Sequence, residues 1–188
     1  MRAVIGLGNP GPAYAPTRHN LGFWVLERLL GEKGWERELF PWGEVFRRGE
    51  KFLLRPLTFM NLSGQAVAEF CRRFPLSPSE LLVVYDDVDL PLGEVRLRPS
   101  GGPGTHRGMQ SVLAALGTEE VPRLRVGIGP PPPAVDLAQF VLSPPRPEEV
   151  PILSEACDLA AELARIFLEK GLSAALDAFS RRKPARPV

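Results

Sequence analysis

The chain is poor in several residues that usually carry chemistry. Its 188 residues hold two cysteines, two histidines, three asparagines and three glutamines. Two cysteines cannot frame a disulfide scaffold, so nothing points to secretion. Two histidines and two dispersed cysteines give no ligand set for a structural zinc ion. No run of about 18 apolar residues occurs, so no transmembrane helix is expected. The start, MRAVIGLGNPG, lacks the apolar stretch of a signal peptide. Strong net charge is missing too: 23 Lys and Arg against 22 Asp and Glu leave +1. That excludes a polybasic coat, and any nucleic-acid contact has to come from a local patch. These absences describe a soluble, cytosolic chain, long enough to bury a sizeable core in one domain.

What is present is concentrated. Gly (18) and Pro (21) are abundant, about a fifth of the chain against roughly 12% on average, so turns and stiff loops are many. Arginine dominates lysine, which suits a thermophile and biased codon usage alike. Scarcity gives weight to the amides and imidazoles that remain. Asn9, His19 and Asn20 fall within twelve residues of one another, and three of the six aspartates are Asp86, Asp87 and Asp89.

Periodicity supplies a coarse map. A strand is expected over Arg2–Gly6, then a Gly/Pro loop to Arg18, then a helix over Leu21–Lys33 with Asn20 as N-cap. Val45–Leu57 fits a hairpin turning near Gly49 and Glu50. Helices are expected over Ser63–Phe74, Gly108–Leu116, Glu148–Lys170 and Leu172–Phe179, with Gly171 as a break. Strands are expected over Leu81–Tyr85, Gly93–Arg98 and Arg123–Gly129. Alternating strands and helices predict an α/β fold, a single domain over residues 1–180. The hairpin makes its central sheet mixed, with helices flanking it. Residues 181–188 form a basic tail expected to fray. Sites in such sheets gather at the carboxyl ends of strands. That rule brings Asn9 to Asn20, Asp86 and the Gly-rich loop Ser100–Arg107 to one crevice.

Gly6-Leu7-Gly8-Asn9-Pro10-Gly11 matches G-x-G-x-x-G, yet Pro10, Pro12 and Pro16 follow where a dinucleotide site needs a helix to open. The chemistry points elsewhere. His19, just before a helix, is disposed by the helix dipole toward the neutral ring, a competent base near pH 7. Asp86 is the best orienting carboxylate, ahead of Asp87 and Asp89. With no G-x-S-x-G elbow and both cysteines in core-like patterns, water is the better nucleophile. Asn61 can donate and accept, which suits a peptide backbone or an oxyanion. Each residue taken alone has a plainer reading: His19 and Asn61 as helix caps, Asp86–Pro91 as a solvated turn, His106 as a surface residue, Phe59 and Met60 as core.

The motifs read together carry more. Asn9-Pro10-Gly11, Thr17-Arg18-His19-Asn20-Leu21-Gly22, Pro56 to Gly64, Asp86 to Gly93, Gly101 to Gly108 and Arg123 to Gly129 occur in order over Met1 to about Phe179. The ordered set resembles the bacterial-type peptidyl-tRNA hydrolases. The resemblance implies a monomeric α/β domain that cleaves the ester between a peptide and the terminal ribose of tRNA, recycling tRNA in translation. It implies no metal, no organic cofactor and no membrane. It makes His19 the base that activates water and Asp86 its orienting partner. Asn9 and Asn61 match substrate-positioning amides, Tyr14 and Met60 residues lining the cleft, and Arg98 and Arg125 a pair on the tRNA 5′-phosphate. Gly104, His106 and Arg107 are expected to bind substrate as well, in a loop that departs from the family pattern Gly-Gly-His-Asn-Gly: here Gly104-Thr105-His106-Arg107-Gly108. Arg107 cannot accept a hydrogen bond, so it would serve the substrate by donating to a carbonyl or approaching phosphate. The alternative reading is a non-catalytic RNA-binding protein on the same fold.

Overall fold

The computed structural model describes residues 1–182. Four parallel strands form its centre: β1 (Arg2–Gly6), β4 (Lys51–Pro56), β5 (Leu81–Pro91) and β7 (Arg123–Gly129). Parallel strands are covered on both faces, so they need nearly continuous apolar runs. Val4, Leu82 and Val84 point to one core; Ala3, Ile5, Leu81 and Val83 point to the other. The antiparallel strands β2 (Glu36–Phe40) and β3 (Gly43–Arg48) extend the sheet beyond β4, and β6 (Val95–Arg98) closes it beyond β7. The order is β2-β3-β4-β1-β5-β7-β6, a seven-stranded mixed sheet.

Helices α1 (Leu21–Leu30), α5 (Val150–Lys170) and α6 (Leu172–Ser180) cover one face. Helices α2 (Ser63–Arg73) and α3 (Arg107–Leu116) cover the other. A sixth, short helix, α4 (Leu137–Val141), follows β7. Glycine lets α1 lie against the sheet backbone: a Cβ on Gly22 would sit 2.5 Å from Leu7 N and 2.6 Å from Val84 O. This contact fixes the start of α1, and with it the preceding turn Arg18–Asn20, over the ends of β1 and β5.

Several expectations need correction. α1 ends at Leu30, three residues early, with Gly31 as its C-cap. β5 runs on to Pro91 because Asp86 and Asp87 pair with Val126 and Gly127 of β7, so these aspartates are strand residues, not a solvated turn. β2 and α4 carry no sequence signal of their own. After β1 the chain runs through residues 7–10 into turns over residues 11–17, with Tyr14 N–H donating to Gly11 O and Thr17 N–H to Tyr14 O, so no helix opens on the glycine fingerprint. Residues 183–188 of the expected tail lie outside the described residues; Arg181 and Arg182 are exposed. No helix of the described residues is long and apolar enough to cross a membrane.

Candidate active site

One cleft lies across the carboxyl ends of the parallel strands, lined by residues from every loop there. At its floor, His19 Nδ1 is 2.8 Å from Asp86 Oδ2, and His106 Nε2 is 3.0 Å from Asp86 Oδ1. The third contact fixes the protons. Met109 N–H, in the first turn of α3, donates to His106 Nδ1 at 3.1 Å. His106 therefore carries its proton on Nε2 and donates it to Asp86. Asp86 is 2% exposed, and burial by itself would push its pKa up. The charges and hydrogen bonds of the two histidines outweigh that and hold the carboxyl well below the usual carboxylate range. An ionised Asp86 accepts the Nδ1 proton of His19, which leaves His19 Nε2 as a lone pair facing the cleft.

The His19 pKa follows two opposed effects. Burial lowers it, and the Asp86 charge and hydrogen bond raise it; the net direction is up. The net rise is set by Asp86, the carboxylate that the sequence pairs with His19. His106 is 9% exposed and buttresses Asp86, so the surface reading of it is overturned.

A second network sets an amide. Asn9 N–H donates to Asn20 Oδ1 and Asn20 Nδ2 to Asn9 O, both at 2.9 Å. Met60 N–H donates to Asn9 Oδ1 at 2.7 Å. With its oxygen occupied, Asn9 turns Nδ2 to the cleft as a donor. Asn20 precedes α1 but makes no side-chain capping bond; its amide is spent on Asn9. Asn61 is exposed in the cleft, and Leu62 rather than Asn61 is the N-cap of α2.

The walls differ in character. Met60 is buried and lines the base of the cleft. Gly104, in the left-handed region at φ 59°, and the exposed Arg107 form the side next to His106. Because β6 runs antiparallel to β7, its carboxyl end points away from the cleft. The Gly-rich loop still reaches it, pinned by buried Arg123. That guanidinium donates to Gly101 O at 2.7 Å and Gly102 O at 3.0 Å. Leu137, Val141 and Leu142, in and just beyond α4, form an apolar side. Tyr14 is not among the lining residues; its ring meets Phe59 edge-on at 6.3 Å. Phe59 is 55% exposed, so it is not core.

Arg98 and Arg125 share one face of the sheet edge, since Arg96 pairs with Arg125 and Arg98 with Arg123. Arg125 reaches the cleft and donates to Asp87 Oδ2 at 3.0 Å, while Arg98 is exposed and makes no ion pair among the described residues. Among the described residues, His19, Asp86 and His106 are the one group close enough to hold a metal ion. Their facing atoms are already matched donor to acceptor, and His106 Nδ1 is taken by Met109 N–H. A cation would have to displace both imidazole protons, so the set fits a proton relay better than a metal centre.

Sequence reasoning found His19, Asp86, Asn9 and Asn61, which share the cleft. It missed the structural tasks of Asn20, Arg18 and Arg123, whose partners are distant in sequence.

The peptidyl-tRNA hydrolase family model matches residues 3–186. The peptidyl-tRNA hydrolase of Chloroflexus aggregans is 45% identical over 186 residues, 96% of this chain and 99% of that protein. That of Syntrophomonas wolfei is 46% identical over 186 residues, 96% of this chain and 100% of that one. The crystal structure of peptidyl-tRNA hydrolase from Acinetobacter baumannii superposes with a TM-score of 0.89 at 32% identity, covering 98% and 97% of the two chains. With a family model across almost its full length and relatives this similar end to end, the chain belongs to the peptidyl-tRNA hydrolase family.

Proposed function

We propose that this chain hydrolyses the ester joining a peptide to the terminal ribose of tRNA, with His19 Nε2 as general base. The observation that carries the reading is the pair of hydrogen bonds from two imidazoles to Asp86, which orients one ring and frees its Nε2 toward the cleft. A water on Nε2 loses its proton as it attacks the ester carbonyl. Asn9 Nδ2 is the fixed donor for the developing oxyanion, and exposed Asn61 and Arg107 hold the peptide side. The tetrahedral intermediate then expels the ribose hydroxyl, which takes the proton from His19. Every proton is supplied by water and returned through the imidazole, so the residues present suffice for the reaction. The chain works on this reading as a single-domain monomer in the cytoplasm.

Two measurements test the reading. The base form of His19 exists only above its pKa, which is raised. Wild-type kcat/KM therefore falls as pH drops through a midpoint above the ordinary imidazole value of about 6.5. A profile flat from pH 8 to pH 6 would contradict it. Arg98 and Arg125 act on the tRNA backbone rather than on base edges, since one enzyme must accept many tRNAs. Arg98→Ala and Arg125→Ala should each weaken tRNA binding and lower the slope of log affinity against log salt by about 1. Slopes equal to wild type would remove these residues from the tRNA surface.

A further inference from the structure

The cleft's apolar side rests on a weak element. α4 spans five residues, Leu137–Val141, too short to persist without tertiary support. That support comes from Arg18. Arg18 N–H donates to Ser143 O at 3.1 Å. Its Nη1 donates to Phe140 O at 3.2 Å, Ser143 O at 3.3 Å and Ser143 Oγ at 2.6 Å. The guanidinium also stacks over the Phe140 ring, 4.2 Å from its centroid. These carbonyls lie at the end of α4, where helical partners run out.

The other end of Arg18 is held by Glu149. Arg18 Nη2 donates to Glu149 Oε1 at 2.7 Å, and Arg146 N–H donates to the same oxygen at 2.8 Å. Arg18 and Glu149 are 4% and 6% exposed. Burying such a pair is costly and poorly explained by stability alone. Its position suggests another use. The residue after Arg18 is His19, whose ring is fixed on Asp86. Two adjacent residues thus supply the base and hold the apolar wall.

We propose that Arg18 and Glu149 are positioning residues that hold α4 as the peptide-side wall of the cleft at a set distance from His19. The inference rests on the hydrolase reading above and adds the ligand chemistry of this wall. Leu137, Val141 and Leu142 take apolar side chains of the peptide beyond the ester. The pair acts on substrate binding through α4, not on the proton transfer.

Steady-state kinetics on two substrates test this. N-acetylglycyl-tRNA offers no side chain to lay on α4; a pentapeptidyl-tRNA of apolar residues does. In Glu149→Gln, and in the double variant Arg18→Met with Glu149→Leu, the ratio of the pentapeptidyl KM to the N-acetylglycyl KM should rise about tenfold, with the two kcat values keeping their ratio. Arg18→Lys, which keeps a cation facing Glu149, should recover most of the change. Replacing both members of a buried pair with apolar groups is tolerated better than removing one, so the double variant stays informative if Glu149→Gln unfolds. Equal KM changes on both substrates, or a fall in kcat at constant KM ratio, would overturn the proposal. Variants matching an active wild type would do the same. A wild type that releases neither substrate would instead sink the hydrolase reading.

Discussion

Asp86→Asn should lower kcat by about 10⁴-fold, the scale seen when an orienting carboxylate is replaced by its amide. His106 Nδ1 must accept from Met109 N–H, so its Nε2 must donate. In the variant only the amide oxygen can receive that proton. The amide nitrogen then faces His19 Nδ1, which has to accept, and the His19 proton moves to Nε2. That is the atom the reaction needs as a lone pair. Turning the amide the other way sets two donors against each other at His106 in a buried site, which costs the full penalty of unmet groups. Turnover of N-acetyl-aminoacyl-tRNA at saturating substrate reads the effect. A loss smaller than about tenfold would show that Asp86 does not set the tautomer.

The second large effect is at His19. Its loss to alanine should reduce turnover by about 10²–10⁴-fold, the usual share of a general base. The reduction belongs in kcat, because the ring serves the attacking water rather than tRNA. Affinity for tRNA should therefore survive, since the proposed phosphate contacts at Arg98 and Arg125 lie on the sheet edge, not on the floor. A rise in the tRNA dissociation constant with little change in kcat would make His19 a binding group. Equal turnover by variant and wild type would move the base elsewhere.

The parts of this fold that are readable in sequence are those whose physics is local. β1 and β7 match the expected bounds, each a short run rich in strand-forming residues and closed by glycine. α2 and α5 follow their helical spacing within two residues. β2 is different: four of its five residues are exposed, and only pairing with β3 makes it a strand. The extension of β5 into Asp86 and Asp87 is likewise a decision of β7. Asn20 looked like a cap because its neighbours in sequence offered that bond, yet Asn9 offered two.

The site divides in the same way. His19 and Asp86 were readable because scarce residue types followed short apolar strand runs. Their geometry was not, since the third member, His106, enters from a loop twenty residues beyond Asp86. Arginine hid its purpose most thoroughly. In a chain with so many, spacing does not separate Arg123, which spends its guanidinium on loop carbonyls, from Arg98, which is left exposed. Arg107 sits in the cleft wall, and its exposed guanidinium can only donate there.

The most direct test is a single-turnover assay with enzyme in excess over N-acetyl-aminoacyl-tRNA, following release of the N-acetyl-amino acid by wild type and His19→Ala side by side. The account predicts release by wild type and its near loss in the variant, with tRNA bound by both. Bound tRNA with no release by wild type would contradict it and leave an RNA-binding protein on a hydrolase fold.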